Sequence, residues 1–260
     1  MKKLIPPKYI PLLTLGAGGL ALALRRMLYT FGTDSQGLLA EPHFLHIACW
    51  IITAAVAGFL ALSVFSLDGS NLYKDNFPPS FAAAAGAVLA AVGILVTVFT
   101  GGYYGHTVTV IWRVTGILAA VGLIATGICR YLGKQPFFLF PAAAFLFFAL
   151  NLVWHYRDWS GDPQSQNYVF PLLASICLML TAYYHAAFAA DMGSRRALLL
   201  SSLTAAFLCC VSLIPAEDPF LYLGCGAWAY LDICALTPPR RRRRRPAQAD
   251  TAAATPEEEQ

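Results

Sequence analysis

Long apolar segments alternate with short polar connections through residue 237. The segments are roughly residues 9–28, 44–67, 80–100, 108–129, 137–154, 168–190, 197–214 and 220–236. Most of these segments are close to the length of about 20 residues that an α-helix needs to cross a hydrocarbon core of roughly 30 Å. The alternating pattern of a transmembrane β-barrel does not occur. The sequence therefore predicts an all-α fold, a polytopic membrane bundle of about eight transmembrane helices within residues 1–237.

The composition agrees with a membrane protein. Hydrophobic residues make up 58% of the chain and charged residues 12%, whereas a soluble domain has about 25% charged residues. The mean hydropathy is +0.59, so a single core folded in water is excluded and the lipid bilayer is the expected surrounding. The net charge of +4 arises from one arginine block and scattered helix-end residues, a distribution that does not indicate a nucleic-acid partner.

Residues 238–260 form a different region, with Pro-Pro, six arginines and then an Ala/Thr/Glu/Pro stretch. This composition predicts a disordered cytoplasmic tail. Arginine next to a membrane helix attracts anionic lipid by about 1 kcal/mol per charge. The block is therefore either a lipid-binding patch or a stop signal for membrane insertion. The candidate lipid-binding residues are Arg240, Arg241, Arg242, Arg243, Arg244 and Arg245.

Two further patterns concern topology. With eight helices, most Lys and Arg residues fall on the side that carries both termini, which predicts cytoplasmic termini.

The sequence also indicates an internal repeat. GTDSQ around Asp34 and SGDPQ around Asp162 lie 128 residues apart, and the helices that follow contain Cys49 and Cys177 at the same offset. These matches indicate a repeat of four plus four helices related by an axis along the membrane normal. Chance similarity between Ala-rich helices is the alternative.

Ionisable residues inside a membrane are costly and mark candidate functional sites. One group lies toward the outer face, where the residues serve either as interfacial anchors or as the mouth of a ligand site. In the second case an arginine would bind an anionic group and a histidine would exchange protons. The outer candidates for ligand binding are His46, Arg113, His155 and Arg157.

The second group lies toward the inner face. Tyr184 and Asp191 are seven residues apart and share a helix face if the helix continues that far. His185 and Asp232 sit at comparable depth on the predicted sixth and eighth helices. If those helices touch, the two side chains could form a hydrogen-bonded pair facing an inner vestibule. The alternative is that each polar side chain forms its hydrogen bonds within its own helix. The inner candidates for ligand binding are His185, Asp232, Tyr184 and Asp191.

No cofactor or metal is expected. The seven cysteines lie in or beside apolar segments without a CxxC motif, as is typical of buried thiols. His46 and His155 are the best pair for a haem, but the same-helix histidine spacing of membrane cytochromes is missing. HExxH, GxSxG, SxxK and Walker motifs do not occur, which argues against an enzyme of known type and leaves no candidate catalytic residue.

Three stretches carry a resemblance: YRDWSGDPQSQNYVF, LLASICLMLTAYYH and DMGSRR. They resemble an uncharacterised group of polytopic proteins from Gram-positive anaerobic bacteria. The resemblance implies a bacterial plasma membrane and implies nothing about activity or site residues.

Three functions fit these observations. Many helices, short connections and the predicted repeat favour a small permease-like transporter or transporter component. The second hypothesis is a non-catalytic membrane scaffold or partner subunit, which would bind a protein partner or form a homo-oligomer. The third is an intramembrane lipid-modifying enzyme.

Overall fold

The computed structural model describes residues 9–32, 44–65, 70–101, 106–160, 168–214 and 217–237, without the side chains of Phe65, His106 and Asp158. These residues form nine α-helices and no strand, which confirms the predicted all-α class. The helices, numbered in chain order, are α1 Ile10–Phe31, α2 Phe44–Phe65, α3 Tyr73–Asn76, α4 Phe81–Thr100, α5 His106–Leu132, α6 Leu139–Trp159, α7 Val169–Ala189, α8 Arg195–Ser212 and α9 Pro219–Cys234.

Seven of these helices, α1, α2 and α4 to α8, are long and apolar enough to cross a membrane. The protein is therefore an integral membrane protein with a polytopic helical bundle, as predicted. The predicted eighth crossing, α9, has only 16 residues. At 1.5 Å per residue it is about 24 Å long, shorter than a typical hydrocarbon core of about 30 Å.

Six helices form a closed ring in which α4, α5, α6, α7, α8 and α9 each pack against the next, and α9 packs back against α4. Helix α7 also touches α9 across the ring. Helices α1 and α2 pack against each other and against α8, outside the ring. The buried core therefore lies mainly among α4 to α9, where Trp112, Phe147, Leu178, Phe207 and Cys225 are almost fully enclosed.

Glycine allows α4 and α9 to approach closely. A Cβ atom added at Gly93 of α4 would lie 2.5 Å from the carbonyl oxygen of Phe220, and one added at Gly224 of α9 would lie 2.5 Å from the carbonyl oxygen of Leu89. Small residues let helix backbones pack in this way in lipid. This contact fixes α9 antiparallel to α4, so the last turn of α9 lies near the start of α4.

Three local features differ from the predictions. Helix α5 continues to Leu132 and α6 to Trp159, because the polar residues beyond the predicted ends at 129 and 154 extend the helices instead of starting connections. The short helix α3 was not predicted. Helix α7 ends at Ala189, and Asp191 follows it with a φ of 55°. The predicted helical face shared by Tyr184 and Asp191 is therefore wrong.

Some predictions concern residues that the structure does not describe. Asp34, Asp162 and the arginine block of residues 240–245 lie outside the described residues, so the repeat and the tail stay predictions.

Candidate functional site

A charged pair lies buried between α5 and α9. Nη2 and Nε of Arg130 donate hydrogen bonds to Oδ1 of Asp232 at 2.9 and 3.2 Å. Both residues are only 3% exposed. Two charges removed from water require excellent geometry to offset their desolvation, and the two convergent N–H groups of Arg130 provide it. The remaining guanidinium nitrogen, Nη1, donates to the carbonyl oxygen of Pro78 at 3.0 Å.

His185 of α7 completes the group that we call the buried triad: Arg130, Asp232 and His185. Its Nε2 lies 3.3 Å from Oδ2 of Asp232, and the histidine is 6% exposed. The predicted neighbours are therefore found together, because α7 and α9 touch. The predicted hydrogen bond does not form, since neither Nε2 nor Oδ2 has a partner with hydrogen-bond geometry.

Aromatic rings surround the triad. The indole of Trp228 lies 5.2 Å from the His185 ring, and Phe77 lies 5.7 Å from it. The guanidinium carbon of Arg130 sits 4.6 Å from the centre of the Phe77 ring. A ring face attracts a cation, and more strongly where water is excluded. Phe77 therefore covers the arginine while it closes the space beside the histidine.

Phe77 belongs to a connection, residues 70–80, that we call the cap segment. The Tyr73 ring stacks on Phe77 at 4.7 Å, and Phe188 meets Phe77 edge-on at 5.1 Å. Tyr73 and Phe77 are each 4% exposed, so the segment folds onto the bundle instead of extending into solvent. Burial raises the pKa of the Tyr73 phenol, which keeps it neutral. The cap segment closes the triad at this end of the bundle.

Asp191 fixes the start of the cap segment. Its Oδ1 accepts the backbone N–H of Tyr73 at 2.9 Å, and its Oδ2 accepts Nε2 of Gln135 at 3.0 Å. The same Gln135 nitrogen also donates to the carbonyl oxygen of Ala189. The bond from Tyr73, then the bond from Gln135 and the charge of Lys74 lower the pKa of the exposed Asp191 carboxyl. Asp191 is thus a structural anchor and does not line the buried triad.

Arg195 fixes the end of α3, the short helix of the cap segment. Its Nη1 donates to Oδ1 of Asn76 at 2.8 Å, and its Nη2 donates to the carbonyl oxygen of Thr237. The backbone N–H and the hydroxyl of Thr237 both donate to the carbonyl oxygen of Asn76, at 3.0 and 3.2 Å. The cap segment is therefore tied to α8 and to the residue that precedes the tail. We call the end of the bundle that holds the cap segment the basic end, because it carries Lys74, Arg130, Lys134, Arg195 and Arg196.

The other end, which we call the acidic end, carries Glu217 and Asp218 at the start of α9. Nε2 of His155 lies 3.9 Å from Oδ2 of Asp218. Trp159 is stacked between His155 and Tyr168, at 4.7 and 4.8 Å. These residues line a small pocket with space for about one water molecule. Burial, and then the negative charge of Glu217, raise the pKa of Asp218 to about 6.

The other outer candidates have separate local contacts. Nε1 of Trp50 donates to Nε2 of His46 at 3.1 Å on the same helix. Arg113 is exposed and donates to the carbonyl oxygen of Gly101 at 3.4 Å. Arg157 is exposed in the last turn of α6. The contacts given for His46 and Arg113 are thus local, and the outer mouth of a ligand site stays a prediction.

Tyr184 is half-buried, and its ring lies 5.2 Å from that of Tyr183, beside the cluster of Tyr73, Phe77 and Phe188. It therefore packs near the cap segment. No group of three or more His, Cys, Asp or Glu residues able to hold a metal occurs within the described residues. His46 and His155 lie on α2 and α6, which are not among the packed helix pairs.

Sequence reasoning missed Arg130 and Phe77. Arg130 lies just beyond the predicted end of the fourth segment at 129, whereas α5 continues to Leu132. The signal that could have found it was Asp232, a carboxylate within an apolar run that needs a cation at the same depth. Phe77 gave no such signal, since an aromatic residue before Pro-Pro is compatible with any loop.

The triad contains one strong cation, one carboxylate and one imidazole in an enclosed, aromatic setting. Such a group can bind and release a proton or a small charged solute without a metal. No family model, no curated protein and no solved structure matches this chain.

Proposed function

We propose that this integral membrane protein is a small permease, or the membrane component of a transporter, and that the buried triad belongs to its solute pathway. One observation carries the proposal. Asp232 is bound by Arg130 through one oxygen and directs the other, without a hydrogen bond, toward His185 inside a bundle of membrane-spanning length.

The energetic cost of the triad supports a functional role. Replacing a buried ion pair by apolar residues of similar volume is often neutral or stabilising, by about 1 to 4 kcal/mol. Ionisable side chains within membrane helices also tend to mark substrate or proton pathways. Because apolar residues could hold α5, α7 and α9 together without this desolvation cost, binding of a proton or solute explains the triad better than a purely structural role.

The cap segment supports the same proposal. Phe77 contacts both His185 and Arg130, so its displacement would open the triad toward the basic end. Although the bond from Arg195 to Asn76 is buried, the start of the segment is held by bonds from two exposed groups, Asp191 and Gln135. Elements that move are drawn from such weakly buried contacts. This arrangement fits a gate in its closed position.

Uptake into proteoliposomes tests the proposal. Purified protein would be reconstituted and screened against a panel of labelled amino acids, organic acids, amines and sugars. We expect a solute whose uptake falls at least tenfold in Asp232→Asn and in His185→Ala. Ser212→Ala is the matched control, because Ser212 is a fully buried polar residue of α8 whose hydroxyl has no bond within the described residues. Equal uptake by all variants would refute the proposal.

A scaffold or partner subunit is the second candidate. It is favoured by the closed packing around the triad and by the wide apolar surface of α2, where only 17% of the residues in its span are buried. This hypothesis predicts that a truncation after Thr237 loses a co-purifying protein partner or a homo-oligomer but inserts normally. The lipid-modifying enzyme of the third hypothesis remains a prediction.

The proposed location is a bacterial plasma membrane with both termini in the cytoplasm, consistent with the resemblance to proteins of Gram-positive anaerobes. The gathering of basic residues at one end supports the orientation. In this arrangement Arg240 to Arg245 would meet anionic lipid. Reporter fusions at residue 1 and after residue 237 test it, and activity of a periplasm-type reporter at either position would contradict it.

A further inference from the structure

An acceptor oxygen and a ring nitrogen face each other inside the triad. Oδ2 of Asp232 and Nε2 of His185 are 3.3 Å apart, and neither atom has a hydrogen bond within the described residues. The side chains are 4% and 7% exposed. Buried polar atoms are normally bonded, so an unbonded pair at this distance requires an explanation.

A single proton satisfies both atoms. A neutral imidazole with its hydrogen on Nε2 donates to Oδ2 after a small rotation of the ring and leaves Nδ1 without a hydrogen. A proton taken up at Nδ1 makes the ring an imidazolium, strengthens its bond to the carboxylate, and adds one positive charge to a group in which Arg130 already balances Asp232. The carboxylate lies next to the new charge and, together with the Trp228 ring at 5.2 Å, lowers the cost of burying it.

A larger cation fits the same space less well. The pair offers one carboxylate oxygen and one nitrogen, whereas hard metal ions take about six or more oxygen ligands. The guanidinium of Arg130 lies on the other oxygen of the same carboxylate at 2.9 Å and repels any second cation. A proton needs only one lone pair and no coordination shell.

The groups that face the pair come from each neighbouring element. Helix α5 supplies Arg130, and the cap segment supplies Tyr73, which interacts electrostatically with both Arg130 and Asp232. Helix α8 carries Arg195, which instead binds Asn76 and Thr237. Among these groups, Arg130 is the one bound directly to the carboxylate of the pair.

We infer that His185 takes up a proton and forms an imidazolium that faces the Asp232 carboxylate, which makes this pair the proton-coupling site of the proposed permease. The coupling role rests on the proposed function, while proton binding does not. Displacement of the cap segment would expose the pair to water at the basic end, where the proton would be exchanged.

Trp228 provides a local reporter in the full-length protein. Its ring lies 5.2 Å from that of His185, and an imidazolium beside an indole quenches its fluorescence. Tryptophan fluorescence of purified protein in lipid nanodiscs would be followed from pH 8 to pH 4. We expect a quenching component that is lost in His185→Gln and lost in Trp228→Phe.

Matched variants separate this component from others. His155→Gln is the control, because His155 stacks on another tryptophan, Trp159, and its removal leaves the Trp228 component in place. In Asp232→Asn the component moves to lower pH by about 1 unit or more, since the imidazolium loses an opposite charge within about 4 Å. Unfolding temperatures of all variants are measured in the same samples.

The outcomes distinguish proton binding from transport. Identical quenching curves in wild type and His185→Gln, with both proteins folded, would overturn the inference. Uptake that depends on Asp232 but ignores an imposed pH gradient would overturn the coupling role while leaving the permease intact. Loss of the quenching component in His185→Gln without uptake of any solute would support the proton site and refute the permease.

Discussion

Arg130 binds Asp232 through two N–H groups that converge on the same carboxylate oxygen, at 2.9 and 3.2 Å. This geometry assigns the two oxygens different roles. Oδ1 is saturated by the guanidinium and holds α5 against α9, whereas Oδ2 faces His185 and remains available. The pair is thus both a structural link and one side of the candidate site.

Removing one partner of this pair should be strongly destabilising. Asp232→Ala leaves the guanidinium buried without its anion, so we expect a loss of about 3 to 5 kcal/mol in the free energy of unfolding. The double variant Arg130→Met with Asp232→Leu should recover most of that loss, because no charge stays buried. Unfolding in detergent measures both, and a double variant as unstable as Asp232→Ala would show that the pair is not the cause.

The cap segment should loosen when its anchor is removed. Asp191→Ala deletes the acceptor of the Tyr73 N–H and of Gln135, so residues 70–80 should be cleaved faster by protease added at the basic end. The pKa of Asp191 is lowered by these bonds. Their stabilisation is therefore present above the ordinary carboxyl pKa of about 4 and is lost as pH falls through the lower folded value.

Asp75→Ala is the control, since Asp75 is an exposed residue of α3. Equal cleavage rates for Asp191→Ala and Asp75→Ala would contradict the anchoring role of Asp191.

Asp218 should make the bundle less stable at neutral pH than at mildly acid pH. Its pKa is raised to about 6, so the folded state binds a proton more tightly than the unfolded state. Stability from this group is full below pH 4 and is lost as pH rises through 6, a change on the order of 3 kcal/mol. Asp218→Asn should remove that slope, and an unfolding curve with the same pH dependence would refute the assignment.

The close approach of α4 and α9 should tolerate no side chain at Gly93. A Cβ at this position would lie 2.5 Å from a carbonyl oxygen, so Gly93→Ala should cost about 1 to 3 kcal/mol through forced backbone shifts. At Gly19 of α1 no atom lies within 4 Å of an added Cβ. Gly19→Ala is the matched control and should leave the unfolding temperature unchanged or slightly higher; equal effects at both sites would contradict the packing.

The sequence was sufficient for the class of fold and for one contact of the site. Apolar segment length is a one-dimensional property, and it predicted the spans of α2 and α4 within two residues at each end. His185 and Asp232 were paired by comparing depths along two helices, which also needs no tertiary information. The ends of α5 and α6 were predicted too early, because the polar residues Arg130 and Arg157 continue these helices.

Tertiary features were beyond reach of the sequence. The order of neighbours in the ring, which brings α9 against α4, depends on which small residues meet, and Gly93 does not identify Gly224 as its partner. The cap segment depends on Asp191, Asn76 and Arg195, three residues that come together only after α4 to α9 have packed. The same residue types serve as interfacial anchors and as site residues, so the roles of His155 and His46 could be distinguished only by their contacts in the structure.

The central claim is that water reaches the triad at some stage of the cycle. His185→Cys places a thiol at the site and keeps the Arg130–Asp232 pair, and a charged, membrane-impermeant methanethiosulfonate is added to proteoliposomes with the cap segment facing the reagent. The native thiols of Cys209 and Cys225, 1% and 0% exposed, are internal controls in the same chain. Mass spectrometry should show faster modification at position 185 than at either control. Modification at 185 as slow as at Cys209 and Cys225 would mean a permanently sealed triad and would contradict the permease.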